Sequence, residues 1–205
     1  MLAELRVSEL LDKTASSDPV PGGGSIAALS AAAAAGLAEM VANLTVGKKG
    51  YEAVEEEMRA VAAKMRPLRE KFLKDMDRDA DAYNEVFSSF KMPKRTEEEK
   101  EKRQKAIQEG LKHAASVPLG VAEDAFSILG LVRTVIAKGN KNAVTDGAVS
   151  AMMARTAVLS ALYNVKINLG SIKDEAFVNR VRKKVKHLDA ETVKMEKEIL
   201  SLVDI

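Results

Sequence analysis

Four aspartates, Asp75, Asp77, Asp79 and Asp81, alternate with other residues in one segment. Apolar residues in this segment recur at steps of three and four: Val54, Met58, Val61, Met65, Leu68, Phe72, Met76, Tyr83, Phe87 and Phe90. That spacing predicts a helix burying one face. The stripe jumps from Met76 to Tyr83, and Asp79 falls in the gap. At about 100° per residue, Asp79 lies within about 20° of the stripe centre, whereas Asp77 and Asp81 point away. Burial raises the pKa of such a carboxyl and suits it to moving protons near neutral pH. The same position also fits a buried aspartate that hydrogen-bonds the terminus of a neighbouring helix.

The run Pro21-Gly22-Gly23-Gly24-Ser25 is a second chemical feature. Three glycines let the backbone approach a ligand closely, and the helix amino terminus that follows favours anions. The run lacks the Gly-Lys-Ser/Thr ending of a phosphate-binding P-loop, and a tight turn packed on another helix accounts for it equally well. Lys48 and Lys49 place two cations beside a helix carboxyl end, where the dipole favours them without any ligand. Asn140, Asn142, Thr145 and Asp146 crowd polar groups where a loop enters a helix, and Asp146 is also placed to act as a cap. Asn164 and Asn168, four apart in a mostly apolar segment, predict one polar seam. Buried amides need partners, which backbone, water or ligand can supply.

The elements that must hold these residues are all helical. Almost no segment alternates at period two, and aromatic residues make up only 4% of the chain. The expectation is an all-α, antiparallel assembly of about seven helices with no sheet, forming a single domain over residues 1–205. Ser8 is expected to cap a first helix over 9–15, and Ser25 an alanine-rich helix ending at Gly47-Lys48-Lys49-Gly50. A long helix over 51–90 should kink at Pro67 and stop at Pro93. Thr96 and Glu99 form a capping box for a helix to about residue 116. Pro118 then sits in the first turn of another, which ends near Gly139. Helices over 147–169 and from Ser171 and Asp174 to about residue 202 complete the set. The last buries Phe177, Val181, Val185, Leu188, Met195, Ile199 and Leu202, leaving Arg182, Lys183, Lys184 and Lys186 in solvent.

Composition narrows the function classes. The 205 residues carry 32 Lys and Arg against 30 Asp and Glu, a net charge of +2, which gives no reason to expect nucleic acid or an anionic membrane as partner. Absence of cysteine excludes disulfides, thiolate catalysis and iron–sulfur ligation, and with only two histidines, His113 and His187, no metal site is expected. Residues 25–46 contain one charge, Glu39, and are long enough to span a bilayer. Their alanine content instead predicts a buried central helix. With no signal-type amino terminus, a cytoplasmic protein is expected.

Seven blocks occur in order: Pro21–Ser25, Asn43-Leu44-Thr45 with Gly47-Lys48-Lys49, Asp77-Arg78-Asp79-Ala80-Asp81-Ala82-Tyr83, Pro93–Lys100, Ser116-Val117-Pro118-Leu119, Gly139–Asp146 and Asn164–Leu169. Over nearly its full length the chain resembles the formiminotransferase-cyclodeaminase carboxy-terminal family, which includes stand-alone formiminotetrahydrofolate cyclodeaminases and bacterial methenyltetrahydrofolate cyclohydrolases. The resemblance implies an all-helical homodimer that binds a reduced folate as substrate, needs no cofactor, and cyclises 5-formiminotetrahydrofolate to 5,10-methenyltetrahydrofolate with release of ammonia. Asp79 matches the family's catalytic aspartate. Motif membership puts Pro21, Gly22, Gly23, Gly24, Ser25, Asn142, Asp146, Asn164 and Asn168 at the folate, and Lys48 and Lys49 at its glutamyl tail. Two other activities fit the resemblance: the cyclohydrolase, and a non-catalytic folate-binding or channelling module that docks a separate formiminotransferase.

Overall fold

The computed structural model describes residues 1–204, among which every regular element is helical. α1 spans Val7–Thr14, α2 Gly23–Asn43, α3 Glu55–Phe90, α4 Glu97–Lys138, α5 Val144–Leu169 and α6 Glu175–Leu200. Short 3₁₀ turns lie at Leu2–Glu4, Glu52–Val54 and Lys141–Ala143.

The α-helices number six rather than seven because Pro118 does not begin a helix; it lies inside α4. Proline lacks the N–H that would bond the carbonyl four residues earlier, here that of Ala114. The Asn168 side chain, reaching across from α5, donates to that carbonyl at 2.8 Å. A neighbouring helix thus supplies the missing donor, and α4 runs through. Pro67 does not end α3 either, because the carbonyl it frees belongs to Ala63 on the exposed face, open to water.

α2, α3, α4 and α5 form a bundle in which α3 and α5 each touch both α2 and α4, and α6 packs outside against α5 and α4. Cross-contacts set the directions. Ser25 meets Met76 while Glu39 meets Arg69, so α2 and α3 run antiparallel. Ser30 donates to the Met153 carbonyl and Ser150 to that of Ala34, which makes α2 and α5 antiparallel too. α2 sits in the core because it is thin: Ala27, Ala28, Ala31, Ala34, Ala35 and Ala38 are all buried between its neighbours. α2 and α4 are the two described helices long and apolar enough to cross a membrane, and most of the apolar stretch of each is buried inside the protein.

Several caps differ from expectation. α1 begins at Val7 with Arg6 as its cap residue, whose N–H donates to Glu9, so Ser8 lies within the helix. α2 begins at Gly23 with Gly22 in the cap position, which frees the Ser25 hydroxyl for contacts outside its own helix. Thr96 and Glu99 do form a capping box, and Asp174 caps α6. Leu202, expected in the α6 core stripe, is exposed. Asp146 lies in the first turn of α5, with Ala143 in the cap position. Gly47 and Gly50 adopt φ of +70° and +91°, the left-handed conformation that ends α2 cheaply only with glycine.

Candidate active site

The α3 stripe buries Met58, Val61, Met65, Phe72 and Met76 as its spacing predicts, but Tyr83, Phe87 and Phe90 emerge into solvent. Beyond Met76 the packed residues are Ala82, Val86 and Ser89. Asp79 stands where the helix passes from core to surface. Its carboxylate lies against the first turn of α2, where the Ser25 hydroxyl is 3.1 Å from Oδ2.

Gly24 makes this approach possible. A Cβ there would lie 2.0 Å from Asp79 Oδ1 and 2.5 Å from its Cγ, so no other residue fits without displacing the acid. Burial, the largest influence, raises the Asp79 pKa from its ordinary value, and hydrogen bonding from Ser25 offsets only part of that shift. Asp79 therefore meets both sequence-level descriptions: it bonds a neighbouring helix terminus, and it is an acid tuned upward.

The other aspartates have different tasks. Asp75, at 1% exposure, is the most buried of the four and pairs with Lys71 and Arg78 at 2.7 and 2.6 Å. Only one inward-facing carboxylate was expected. Asp75 is the second, stabilised by cations one helical turn away on either side. Asp77 is half-buried and accepts the Leu2 N–H at 2.9 Å, so it does not simply face solvent. Asp81 is exposed.

Asp79 faces a cleft of about 350 Å³ lined by Gly22, Gly23, Gly24, Tyr83, Asn164 and Asn168, together with Pro19, Val20, Val86, Ala114 and Ile167. Pro21 is buried behind the glycine turn. Asn164 donates to the Ser160 carbonyl at 3.0 Å and Asn168 to that of Ala114. Each amide thus spends one N–H on backbone, and both residues line the cleft with donor and acceptor capacity left over. A second groove of about 510 Å³ continues between α2 and α5, past Ile26, Leu29, Met153 and Tyr163, and shares Gly23 and Asn164 with the cleft. Tyr163 and Ile167 are 71% and 76% exposed beside these openings.

The remaining sequence candidates lie elsewhere. Lys48, Lys49, Asn142 and Asp146 gather at the opposite end of α2, where Asn140 bonds Leu44 and Thr45. The 21 residues of α2, about 30 Å of helix, separate the two groups within one chain. Sequence reasoning missed Val86, Ala114 and Ile167. Tyr83 had a signal, since it follows Asp79 by four residues and so shares its face. Among the described residues, no three His, Asp or Glu side chains are grouped so as to hold a metal ion.

An acid of raised pKa lining a cleft, bonded to a hydroxyl and accompanied by two amides, can move a proton to or from a bound ligand. Comparison with known proteins narrows this. Residues 6–187 match the family model described as formiminotransferase-cyclodeaminase. A methenyltetrahydrofolate cyclohydrolase from Methylorubrum extorquens is 37% identical over 197 residues, which cover 96% of this chain and 95% of that protein. Formimidoyltransferase-cyclodeaminase from Sus scrofa is 36% identical over 82% of this chain, but the match spans only 31% of the pig protein. The crystal structure of formiminotetrahydrofolate cyclodeaminase from Thermotoga maritima superposes with a TM-score of 0.88 at 30% identity, covering 99% of this chain and 98% of that one. The chain belongs to the formiminotransferase-cyclodeaminase family, enzymes of folate one-carbon interconversion.

Proposed function

We propose that the protein closes 5-formiminotetrahydrofolate to 5,10-methenyltetrahydrofolate with release of ammonia, Asp79 carrying the proton. The observation behind this reading is the placement of Asp79, an acid tuned upward by burial that opens on the cleft and touches Ser25. The formimino group enters as its protonated amidinium; N10 of the folate attacks its carbon, forming a carbon–nitrogen bond while the exocyclic C=N π pair moves onto nitrogen, and leaves a tetrahedral centre with an NH2 group. The N10 proton passes to the Asp79 carboxylate. The same proton then moves to the exocyclic amine, whose bond to carbon breaks as ammonia leaves and the methenyl bridge remains. A raised pKa makes both transfers cheap, since one group must accept and then donate near neutrality.

Ser25 assists in both states. Its hydroxyl lies 2.9 Å from the Met76 carbonyl as well as 3.1 Å from Asp79. It donates to Asp79 when the acid is ionised. When Asp79 is protonated, Ser25 accepts from it and turns its own hydrogen to Met76. The Asn164 and Asn168 oxygens would receive N–H donors of the pterin ring, and the Gly22–Gly24 backbone gives the ring room beside the acid. The proton steps use side chains and the substrate's own amine, and the reading includes no cofactor.

Lys48, Lys49, Asn142 and Asp146 can join this site only from a second copy of the chain, so their participation belongs with the proposed homodimer. A formiminotransferase that supplies the substrate would act as a separate partner.

The Methylorubrum relative favours a second reading, hydrolysis of 5,10-methenyltetrahydrofolate to the 10-formyl derivative. There water adds to the bridge carbon as Asp79 takes one of its protons; the N5–carbon bond then breaks, N5 gaining a proton as the added hydroxyl loses its own, and the formyl group stays on N10. One assay separates the two. Purified protein is given 5-formiminotetrahydrofolate while ammonia and methenyl absorbance are followed together. Equal appearance of both supports the cyclodeaminase. Silence there, with loss of absorbance from added methenyltetrahydrofolate, moves the protein to the cyclohydrolase. If Asp79→Asn retains full turnover in either assay, the proton-carrier role is refuted.

A further inference from the structure

The proposed reaction takes place at Asp79, and the α3 face that carries this acid continues along the helix beyond it. Tyr83 lines the cleft one turn beyond the acid, and Phe87 follows one turn later. Their rings lie nearly parallel, 15° between planes, with centroids 6.3 Å apart. Both are exposed, although the sequence stripe would have buried them. Lys91 closes the row, its Nζ 4.1 Å from the centre of the Phe87 ring. Arg103, on α4, donates to the Phe90 carbonyl at 3.1 Å and brings a second cation to the same end. Glu85, on the same stretch of α3, is engaged with His113 at 2.7 Å. Eight residues of helix from Asp79 to Phe87 make a rise of about 12 Å.

We propose that this row is the binding track for the aminobenzoyl-glutamate half of the folate, with Tyr83 and Phe87 against the benzoyl ring and Lys91 at the glutamyl carboxylates. The inference rests on the folate reading above. Its support is order and continuity. From the reacting N10 outward, a folate presents an aromatic ring and then anionic carboxylates. From Asp79 outward, the protein presents two aromatic faces and then a cation. Aromatic faces favour stacked rings, and an ammonium held above a ring is already partly desolvated toward its next partner. Lys91 thus offers from the same chain a cation for the glutamyl tail, which Lys48 and Lys49, at the far end of α2, could reach only from a second copy.

The test is titration calorimetry with 5-formyltetrahydrofolate and with 5-formyltetrahydropteroate, which lacks the glutamate. The native protein is expected to prefer the glutamyl ligand by about fivefold at low salt, the size of one exposed ion pair. In Lys91→Gln that preference disappears, and binding of the pteroate compound is unchanged. Phe87→Ala weakens both ligands, and Phe87→Tyr restores them. Equal affinity of the native protein for the two ligands would overturn the track while leaving the folate reading intact. So would Lys91→Gln weakening both alike. Binding of neither ligand would overturn the folate reading itself. A change of sedimentation coefficient in Phe87→Ala would assign the row to contact between copies of the chain and refute the track.

Discussion

Replacing Gly24 by alanine tests the acid's position without touching the acid. The new Cβ would lie 2.0 Å from Asp79 Oδ1, and carbon atoms of this kind essentially never come within 3.0 Å of a neighbour. The carboxylate must therefore retreat by about 1 Å, a displacement that costs about a hundredfold when it falls on a reacting group. The stability terms are smaller and opposed. Alanine gains about 0.5–1 kcal/mol over glycine inside a helix, and the weakened Ser25–Asp79 bond loses about 1 kcal/mol. Tm should thus move by no more than about 3 °C, while kcat/KM for the folate substrate falls by about two orders of magnitude. Gly120→Ala is the matched control, since a Cβ there meets nothing within 4 Å. It should leave turnover alone and raise Tm by about 2–4 °C. Turnover of Gly24→Ala within about threefold of the native protein would refute the argument that the glycine exists to seat Asp79.

Asp79→Asn should be inactive yet more stable than the native protein at neutral pH. An acid whose pKa is raised by folding leaves the native state fully stable below its unfolded value and loses stability as pH rises through the folded one. Denaturant melts at about pH 4 and pH 7.5 should therefore show the variant's advantage only at the higher pH; lower stability there would contradict the burial argument. In Ser25→Ala the acid loses a donor that holds its pKa down, so the rising limb of kcat/KM against pH should shift to higher pH. An unmoved limb would mean that another group titrates. Asn168→Ala should cost about 1–3 kcal/mol by stranding the Ala114 carbonyl. Adding Pro118→Ala should recover most of it, because position 118 regains an N–H; additive losses in thermal melts would exclude the exchange of donors.

Helical periodicity carried the fold class and the existence of most elements, because amphipathic stripes such as that of α3 report burial directly. It failed at Pro118, where the donor that keeps α4 continuous comes from Asn168, fifty residues later in the chain. It failed again past Met76, since a stripe of uniform spacing does not say where the neighbouring helices stop. Asp79 was legible because it interrupts an apolar series. The buried Asp75 was not, as its lysine and arginine partners lie on its own helix and look like ordinary surface charge in the sequence. The glycine turn announced a close approach but not its object, since the approaching atom belongs to a residue fifty-five positions away. Lys48, Lys49, Asn142 and Asp146 shared sequence blocks with the cleft residues, and sequence blocks carry no distance.

The alanines of α2 have one more consequence. The helix with the smallest side chains stands between the acid on α3 and the amides on α5, so its thickness acts as a gauge block for the opening they share. Enlarging an inward alanine by even two methyl groups would wedge the outer helices apart and widen the gap between Asp79 and Asn164, although the altered side chain never met the ligand. Members of this family that handle bulkier or slimmer bridge groups should differ along this helix, and exchanging its alanines is the route by which selectivity could be retuned without changing a single group that reacts.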